Sequence, residues 1–484
     1  MKSKPSKSSG ADSKARAKNP PGEKSAPTLA KKLRNKKSEA SKLSLLQRSV
    51  GVQRSGHGSI LHFIYKSTLG QSLHSQMRQC LQEPFVRSLS SYHFNGSVSP
   101  FDRRITCLEW HPTNPTTLAV ASKGGDIYLW DYDSPSKKTF IQGNGAGDFI
   151  GGMKFCPTDF SRLYVASGEG TLTMQSLEGG PHSIVSRTID CNHEHHNVCF
   201  WYCCVDVSVS RQMLVTGDNM GELSLLGLDG RKIFSGKLHK AKVTHAEFNT
   251  RCDWLLATAS VDHTVKLWDL RNLKDKTSSL HLLPHDKAVN SAYFNPSDCS
   301  KLLTTDQYDQ IRVYSSSDWS KPQHIIQHPH RQFQHLTPIK ATWHPTYDLI
   351  VAGCYPDDRV FCGDQRTIDI FDSNTAELVC QLQDPNAPGI KSINKFNPLG
   401  DAIGSGMGVT ALVWSRTSLL VEGESTQKGE TSFSGQGARG QGRGQQAARR
   451  GRKGPTDTKL KKKLASLEES VKVKTKGTKR ISKK

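Results

Sequence analysis

The sequence predicts an all-β chain folded as a seven-bladed β-propeller, with a short helical segment ahead of it and a disordered basic tail at each end. Three observations predict this. Residues 238–271 read as one complete module: two strands of alternating apolar residues and a third ending in Trp268-Asp269, separated by short polar turns. The module recurs from Phe101 to about Arg416. Aligning each third strand on Trp268 gives Trp130, Gln175, Leu226, Trp268, Tyr314, Phe371 and Trp414, at spacings of 45, 51, 42, 46, 57 and 43, where blade repeats run to about 40–45 residues. Finally, charge is segregated. Residues 1–60 hold 15 basic and 3 acidic groups and residues 421–484 hold 18 and 6, leaving a body of 33 basic against 35 acidic groups in a chain of net charge +22.

Residues 1–56, rich in Ser, Lys, Pro and Gly, carry no core-forming pattern and read as disordered. Residues 57–98 follow as a helical, partner-docking segment. Ile60, Leu61, Phe63, Ile64 and Tyr65, then Leu73, Met77, Cys80 and Leu81, suggest two short helices joined at Gly70 and ended by Pro84. They make either a cap on the chain's own surface or a hook for another protein. Residues 99–418 form the propeller. Within its clearest unit, His239, Ser260, Asp262 and Trp268 are spaced for a buried hydrogen-bond relay of the WD-repeat kind. Ser, His and Asp also compose a hydrolase triad, but inside a repeating blade they read as structural. Residues 419–484, with ARGQGRGQQAARRGRKG, return to disorder.

The 12 cysteines are scattered, and no secretory signal or membrane-length apolar run is present, which implies a reducing compartment and no membrane partner. Lysine runs at 31–37 and 461–463 read as nuclear-import signals or nucleic-acid contacts, so a nuclear location is expected. Because the body is nearly neutral, any polyanion it binds must meet cations gathered on one face.

Strand order says which residues share that face. The residue before each first strand and the turn between second and third strands lie at the same end of a propeller. Arg103, Arg104, Lys123, Lys242 and Arg366 thereby fall together with Phe149, Trp201 and Tyr355. Cations among aromatic rings suit phosphates beside unstacked bases. The longest interval adds HPHRQFQHLTPIK, residues 328–340. Phe333 between polar neighbours makes a poor core segment and a good wedge: it can enter a base stack while Gln334 and His335 bond the vacated bases and Arg331 meets a phosphate. Such a wedge selects duplexes that are already easy to unstack. The other long interval holds CNHEHHNVC, residues 191–199, whose spacing matches no established zinc finger. No metal, no cofactor and no catalysis are expected.

With FDRRITCLEWHP, SKGGDIYLW, VTGDN, KVTH, CDWLLATASVDHTVKLWDLR, LLTTDQ, IRVYS and FQHLTPIKATWHP in order, the chain resembles the xeroderma pigmentosum group E family, WD-repeat small subunits of UV-damaged DNA-binding complexes. The resemblance covers roughly residues 60–416. It implies recognition of cyclobutane pyrimidine dimers and 6-4 photoproducts to start nucleotide excision repair. It also implies service as substrate receptor of a cullin-RING ubiquitin ligase, joined through the large subunit of the complex. By that resemblance Phe333, Gln334 and His335 form the intercalating hairpin, Trp201 lines the lesion pocket, and Arg104, Lys123, Lys242, Arg331, Tyr355 and Arg366 hold the DNA backbone. The WDLR ending at Arg271 matches the ligase-receptor signature, on the face opposite the DNA, where Leu73 and Met77 of the helical segment also dock. Cys354 stands where the family pattern leads one to expect Arg. A scaffold for RNA or ribonucleoprotein, with the tails doing the binding, and a reader of histones on chromatin are the alternatives.

Overall fold

The computed structural model describes residue 64 and residues 74–416, except 135–137, 189–198, 334–335 and 358–365. Seven four-stranded antiparallel sheets follow one another around an axis. Blade 1 holds Ile105–Trp110, Thr117–Ser122, Ile127–Asp131 and Lys138–Ile141; blades 2 to 6 start at Ile150–Cys156, Tyr202–Ser208, Val243–Phe248, Val289–Phe294 and Thr342–Trp343. In blade 7, Ile393–Phe396, Ala402–Met407 and Thr410–Arg416 are joined by Tyr92–Val98 from the other end of the body, which pairs antiparallel with Thr410–Arg416. That strand lies inside the stretch expected to be helical, so the propeller includes residues 92–98 and a pairing across the whole body closes it.

The seven aligned residues occupy one register position. Trp130, Gln175, Leu226, Trp268, Tyr314, Phe371 and Trp414 face Leu118, Leu163, Leu214, Leu256, Leu302, Ile350 and Ile403. In six blades the pair fills the layer between neighbouring blades, where Trp268 and Trp414 are fully buried; in blade 2 Leu163 is buried and Gln175 only half-buried. Polar patterning differs from the expectation in one place. The relay runs through Thr258 rather than Ser260: the Trp268 indole N–H donates to Thr258 Oγ1 at 2.8 Å, which lies 2.8 Å from His239 Nε2, and His239 Nδ1 meets Asp262 Oδ2 at 3.0 Å. Burial holds the His239 pKa below its ordinary value, so the ring is neutral and its one N–H goes to the carboxylate. Ser260 instead donates to the Ala241 carbonyl, because it sits at the strand's last residue, beyond reach of the indole. Blade 5 keeps the His–Thr step, with His285 Nε2 2.9 Å from Thr304 Oγ1 and Tyr314 at the tryptophan's register position, but there His285 Nδ1 meets the Leu283 carbonyl in place of a carboxylate.

Around the axis the blades are tied in a closed circle. The fifth residues of the first strands in blades 1 to 5 are Glu109, Lys154, Asp206, Glu247 and Tyr293, with Trp343 and Lys395 continuing the circle. Lys395 pairs with Glu109, Lys154 reaches Glu109 at 3.5 Å and Asp206 at 3.4 Å, and Asp206 accepts the Phe248 N–H at 2.8 Å. Glu247 accepts the Phe294 N–H, the Trp343 indole donates to the Tyr293 carbonyl, and Thr342 donates to that of Asn394. Two lysines thus face three carboxylates. Burial and the Asp206 charge push the Glu247 carboxyl from 4.5 up to about 8, so it stays protonated at neutral pH.

Residues His74–Ser88 form helix α1, which continues through Pro84. A mid-helix proline removes one backbone hydrogen bond, and side-chain anchors hold the helix regardless. Arg78 bonds Ser297 at 2.6 Å and Asp298 at 2.9 Å, Gln82 bonds Asp372 and the Asp348 N–H, and Phe85 packs on His344 and Tyr347. All these partners lie at the end of blades 5 and 6 away from the first-strand starts, so α1 caps its own propeller. Among the described residues no helix is long and apolar enough to cross a membrane, and the ten cysteines are free thiols.

The axial circle generates a pH dependence. Glu247 binds its proton more tightly folded than unfolded, so its contribution to stability is present below about pH 4.5 and is lost as pH rises towards 8. Glu247→Gln keeps the hydrogen bond and removes the titration. Thermal melts should show the variant gaining on the parent between pH 5 and 8, by about 2–4 °C for each kcal/mol recovered; a gap that does not change with pH would place the proton elsewhere.

Candidate nucleic-acid interface

In blades 1 to 5 one backbone hydrogen bond is repeated. The residue after the second strand donates to the residue before the first: Lys123 to Arg104 at 2.8 Å, Gly168 to Phe149 at 2.7 Å, Asn219 to Trp201 at 3.2 Å, Val261 to Lys242 at 3.0 Å and Gln307 to Ala288 at 2.8 Å. These bonds set the rim of one end of the propeller. Asn219 also accepts the Trp201 N–H on its side chain at 3.0 Å and donates to the Cys199 carbonyl, clamping the loop on either side of the tryptophan. Just below the rim, the first strands of the same five blades bulge after their first residue. The bulge turns Thr106, Gly151, Cys203, Thr244 and Asn290 toward the axis, where all five line a cavity of about 540 Å³. Gly151 has to be glycine, since a Cβ there would sit 2.7 Å from the Cys203 carbonyl oxygen.

The cavity brings together Arg104, Lys123, Trp201, Lys242 and Phe333 of the sequence-predicted set, with Phe149 beside Trp201 at 6.1 Å in an edge-to-face contact. Lys340 and Lys395 line it too. Among the described residues no Asp or Glu does, so a body of net charge −2 has concentrated five cations along one axial cavity, one of them, Lys395, also paired with Glu109. Burial lowers the pKa of Lys340 and of Arg104. Among the described residues, the indole Nε1 of Trp201 and the amide Oε1 of Gln332 are buried without a hydrogen-bond partner. Each such group costs roughly 1–3 kcal/mol until something bonds it.

Phe333 rises at the edge of this mouth on a loop whose two limbs are pinned. His328 and His330 are buried, the latter 3.1 Å from Asp306, and Gln332 N–H bonds the Gln307 carbonyl. On the return limb Thr337 reaches across to the Ile105 carbonyl at 2.5 Å, and the Ile339 carbonyl accepts from Asn290 at 3.1 Å. Exposure is confined to the tip of this segment: His330 is bonded to Asp306, His328 stands 3.3 Å from Asp369, and both histidines are inside. At the tip Phe333 is 40% exposed. Its ring lies 4.8 Å from Tyr355, and the Arg331 guanidinium stands 5.3 Å from it and 5.5 Å from Tyr308. Gln334 and His335 lie outside the described residues, as do Leu73 and residues 191–198 of CNHEHHNVC. Arg366 is exposed beside the third strand of blade 6, and its carbonyl takes the Lys391 ammonium at 2.9 Å; it does not line the cavity.

The pattern of the family described as WD domain, G-beta repeat matches residues 84–131 and 230–269. Over 428 residues the chain is 58% identical to DNA damage-binding protein 2 of Gallus gallus, covering 87% of this chain and 83% of that one. With DNA damage-binding protein 2 of Danio rerio it shares 57% over 463 residues, 93% and 91% of the two chains. The chain belongs to the DNA damage-binding protein 2 family. The protein of that name from Bos taurus is 49% identical over 360 residues, 74% of this chain. In this DNA damage-binding protein 2 family member, sequence reasoning misses Lys340, Lys395, Asn219, Tyr308 and Gln332. Lys340 lies before the two-residue first strand of blade 6 and bridges to Ile393 of blade 7, so no alternation pattern shows where it goes; Asn219, directly after the second strand in VTGDN, is legible as a turn but not as a clamp.

At the opposite end, Arg271 is held by two bonds to Asp269, at 2.9 and 2.8 Å, and stacks 4.3 Å over Trp254 with 55% of its side chain exposed. Met77 is half-buried on α1 at the same end.

Lys242 carries the clearest electrostatic test. Lys242→Glu should weaken duplex DNA binding and flatten the slope of log K against log salt by roughly 0.9 or more, the share of a single phosphate; an unchanged slope in a fluorescence titration would remove Lys242 from the interface.

Proposed function

We propose that this chain recognises damaged duplex DNA by probing how easily its bases unstack, and serves as the substrate receptor of a cullin-RING ubiquitin ligase in a nuclear repair pathway. One observation carries the reading: a half-exposed Phe333 on a loop pinned at both roots, standing beside a cation-lined cavity. Pinning matters because a wedge that must first be ordered spends binding energy on itself. Unstacking costs a few kcal/mol per step, least at a distorted photoproduct, so a rigid wedge prefers cyclobutane dimers and 6-4 photoproducts without reading sequence. Trp201 and Gln332 then have open hydrogen-bonding groups for an extruded base, while Arg104, Lys123, Lys242 and Arg331 hold phosphates. The relatives' names, which refer to damaged DNA, support the same reading.

The ligase part rests on the resemblance and on the opposite face. Arg271, stiffened by Asp269 and Trp254, is a preformed contact for the large subunit there, with α1 alongside.

Changing Phe333, Gln334 and His335 together to Ala should abolish preference for irradiated over untreated duplex in a competition shift assay, while leaving most of the salt-sensitive binding to undamaged DNA. Deleting both tails should spare that preference; its loss would favour the RNA or chromatin scaffold instead. Arg271→Ala should reduce recovery of the large subunit and leave DNA binding by the isolated chain unaltered, and normal recovery would move the adaptor contact away from this face.

A further inference from the structure

Between blades 5 and 6, beneath the incoming limb of the Phe333 loop, His328, Cys354 and Asp369 converge. All three are buried, and one ligand atom from each lies within 4.8 Å of the others. They border a second cavity of about 290 Å³, separate from the one at the axis. His328 Nε2 stands 3.3 Å from Asp369 Oδ2. That is ion-pair distance, but the alignment makes no hydrogen bond, and the nitrogen has no other partner among the described residues.

The far side of the ring is held by a chain of partners. Asp306 Oδ1 accepts the backbone N–H groups of Tyr308, Asp309 and Gln310 and lies 3.1 Å from His330 Nε2. His330 Nδ1 in turn lies 3.0 Å from His328 Nδ1, so the two rings share a hydrogen there. His328 Nε2 is thereby aimed at a carboxylate oxygen. The other oxygen of Asp369 is already occupied by Thr367 and by Gln381. A buried nitrogen without a hydrogen-bond partner among the described residues, facing a buried carboxylate oxygen, is a two-point seat for a cation. Around a tetrahedral metal with N and O bonds of about 2.0–2.2 Å, ligand atoms stand roughly 3.3–3.5 Å apart; His328 and Asp369 match this at 3.3 Å, and the Cys354 sulfur lies within 4.8 Å of both.

We propose that His328, Cys354 and Asp369 bind a divalent transition metal ion, Zn²⁺ by their donor chemistry, with water from the adjoining cavity as the fourth ligand. Imidazole with thiolate selects zinc-like ions, whereas Mg²⁺ and Ca²⁺ ask for oxygen throughout. On binding, the Cys354 S–H bond breaks, its proton leaves to solvent and a metal–thiolate bond forms, with no change of oxidation state. Thiolate and carboxylate then neutralise the ion. His330 and Asp306 already orient the ligating imidazole through its far nitrogen, as the outer partners of metal-bound histidines do. The ion fastens the roots of both segments that meet at the wedge: His328 leads into Arg331 and Phe333, and Cys354 precedes Tyr355, whose N–H bonds the Pro329 carbonyl at 2.9 Å. Metal binding stands or falls independently of DNA recognition.

The test uses the full-length chain, reduced and metal-stripped, with Cys191 and Cys199 changed to Ser so that the other Cys/His loop contributes no thiolate. Titration with Co²⁺ should develop tetrahedral visible absorption and a sulfur-to-cobalt charge-transfer band that saturate together at one equivalent, and Cys354→Ser should lose the charge-transfer band. Zn²⁺ should also slow alkylation of Cys354 in the parent chain by about tenfold or more, read by peptide mass mapping, which does not depend on any Cys354 variant folding. Absence of a stoichiometric band, a band that survives Cys354→Ser, or alkylation indifferent to Zn²⁺ would overturn the site.

Discussion

The rest of this structure depends on a circle that has to close. Each blade buries one apolar side against the next, but the first and last could part like the ends of an open ring. Tyr92–Val98 prevents this by pairing with Thr410–Arg416 across more than three hundred residues of intervening chain. The axial links from Lys395 to Glu109 and Lys154 to Asp206, continued through Glu247 and Trp343, fasten the inner edge by the same logic. Buried carboxylates and ammonium groups are poor sources of net stability, because desolvation offsets their attraction. Here they fix which strands become neighbours, and the protonated Glu247 lets three carboxylates share a circle with two lysines.

A closed ring makes a rigid rim, and the rim does the electrostatic sorting. The body as a whole is slightly negative, so steering a polyanion requires local arrangement rather than total charge. Repeated backbone bonds place Arg104, Lys123 and Lys242 at one mouth, and the bulged strand starts keep acidic groups away from it. Carboxylates are put to use lower down the axis, where they pair with Lys154 and Lys395. Phe333 joins this mouth through partners on two different blades: Asp306 below His330 and Asn290 beneath Ile339 on blade 5, and Ile105 opposite Thr337 on blade 1. The loop's shape is therefore a property of the assembled ring.

Much of this is readable in one dimension. Repeat spacing locates all seven third strands at the right register position, even where the marker residue is Gln175 or Leu226, because a blade's alternation constrains residues around it. The loop tip is equally legible, since Phe333 among polar neighbours has no inward side to follow. Spacing alone puts the relay hydroxyl at Ser260 in place of Thr258, because both hydroxyls point the same way from one strand and only the position of the Trp268 indole chooses between them. Helix α1 departs from expectation at Pro84 for a related reason: local propensity argues for an end there, and anchors at Gln82 and Phe85 from distant loops override it.

The linear pattern thus establishes the blade count, the face on which Arg104, Trp201 and Lys242 gather, and the exposed aromatic. Those follow from periodicities of two residues and of about forty, which are properties of neighbours along the chain. How the ring closes, that Lys340 and Lys395 enter the axial mouth, and that His328, Cys354 and Asp369 meet are settled by folding alone. These bring together groups tens to hundreds of residues apart, and a linear pattern carries no distance between residues that come into contact only when the circle is complete.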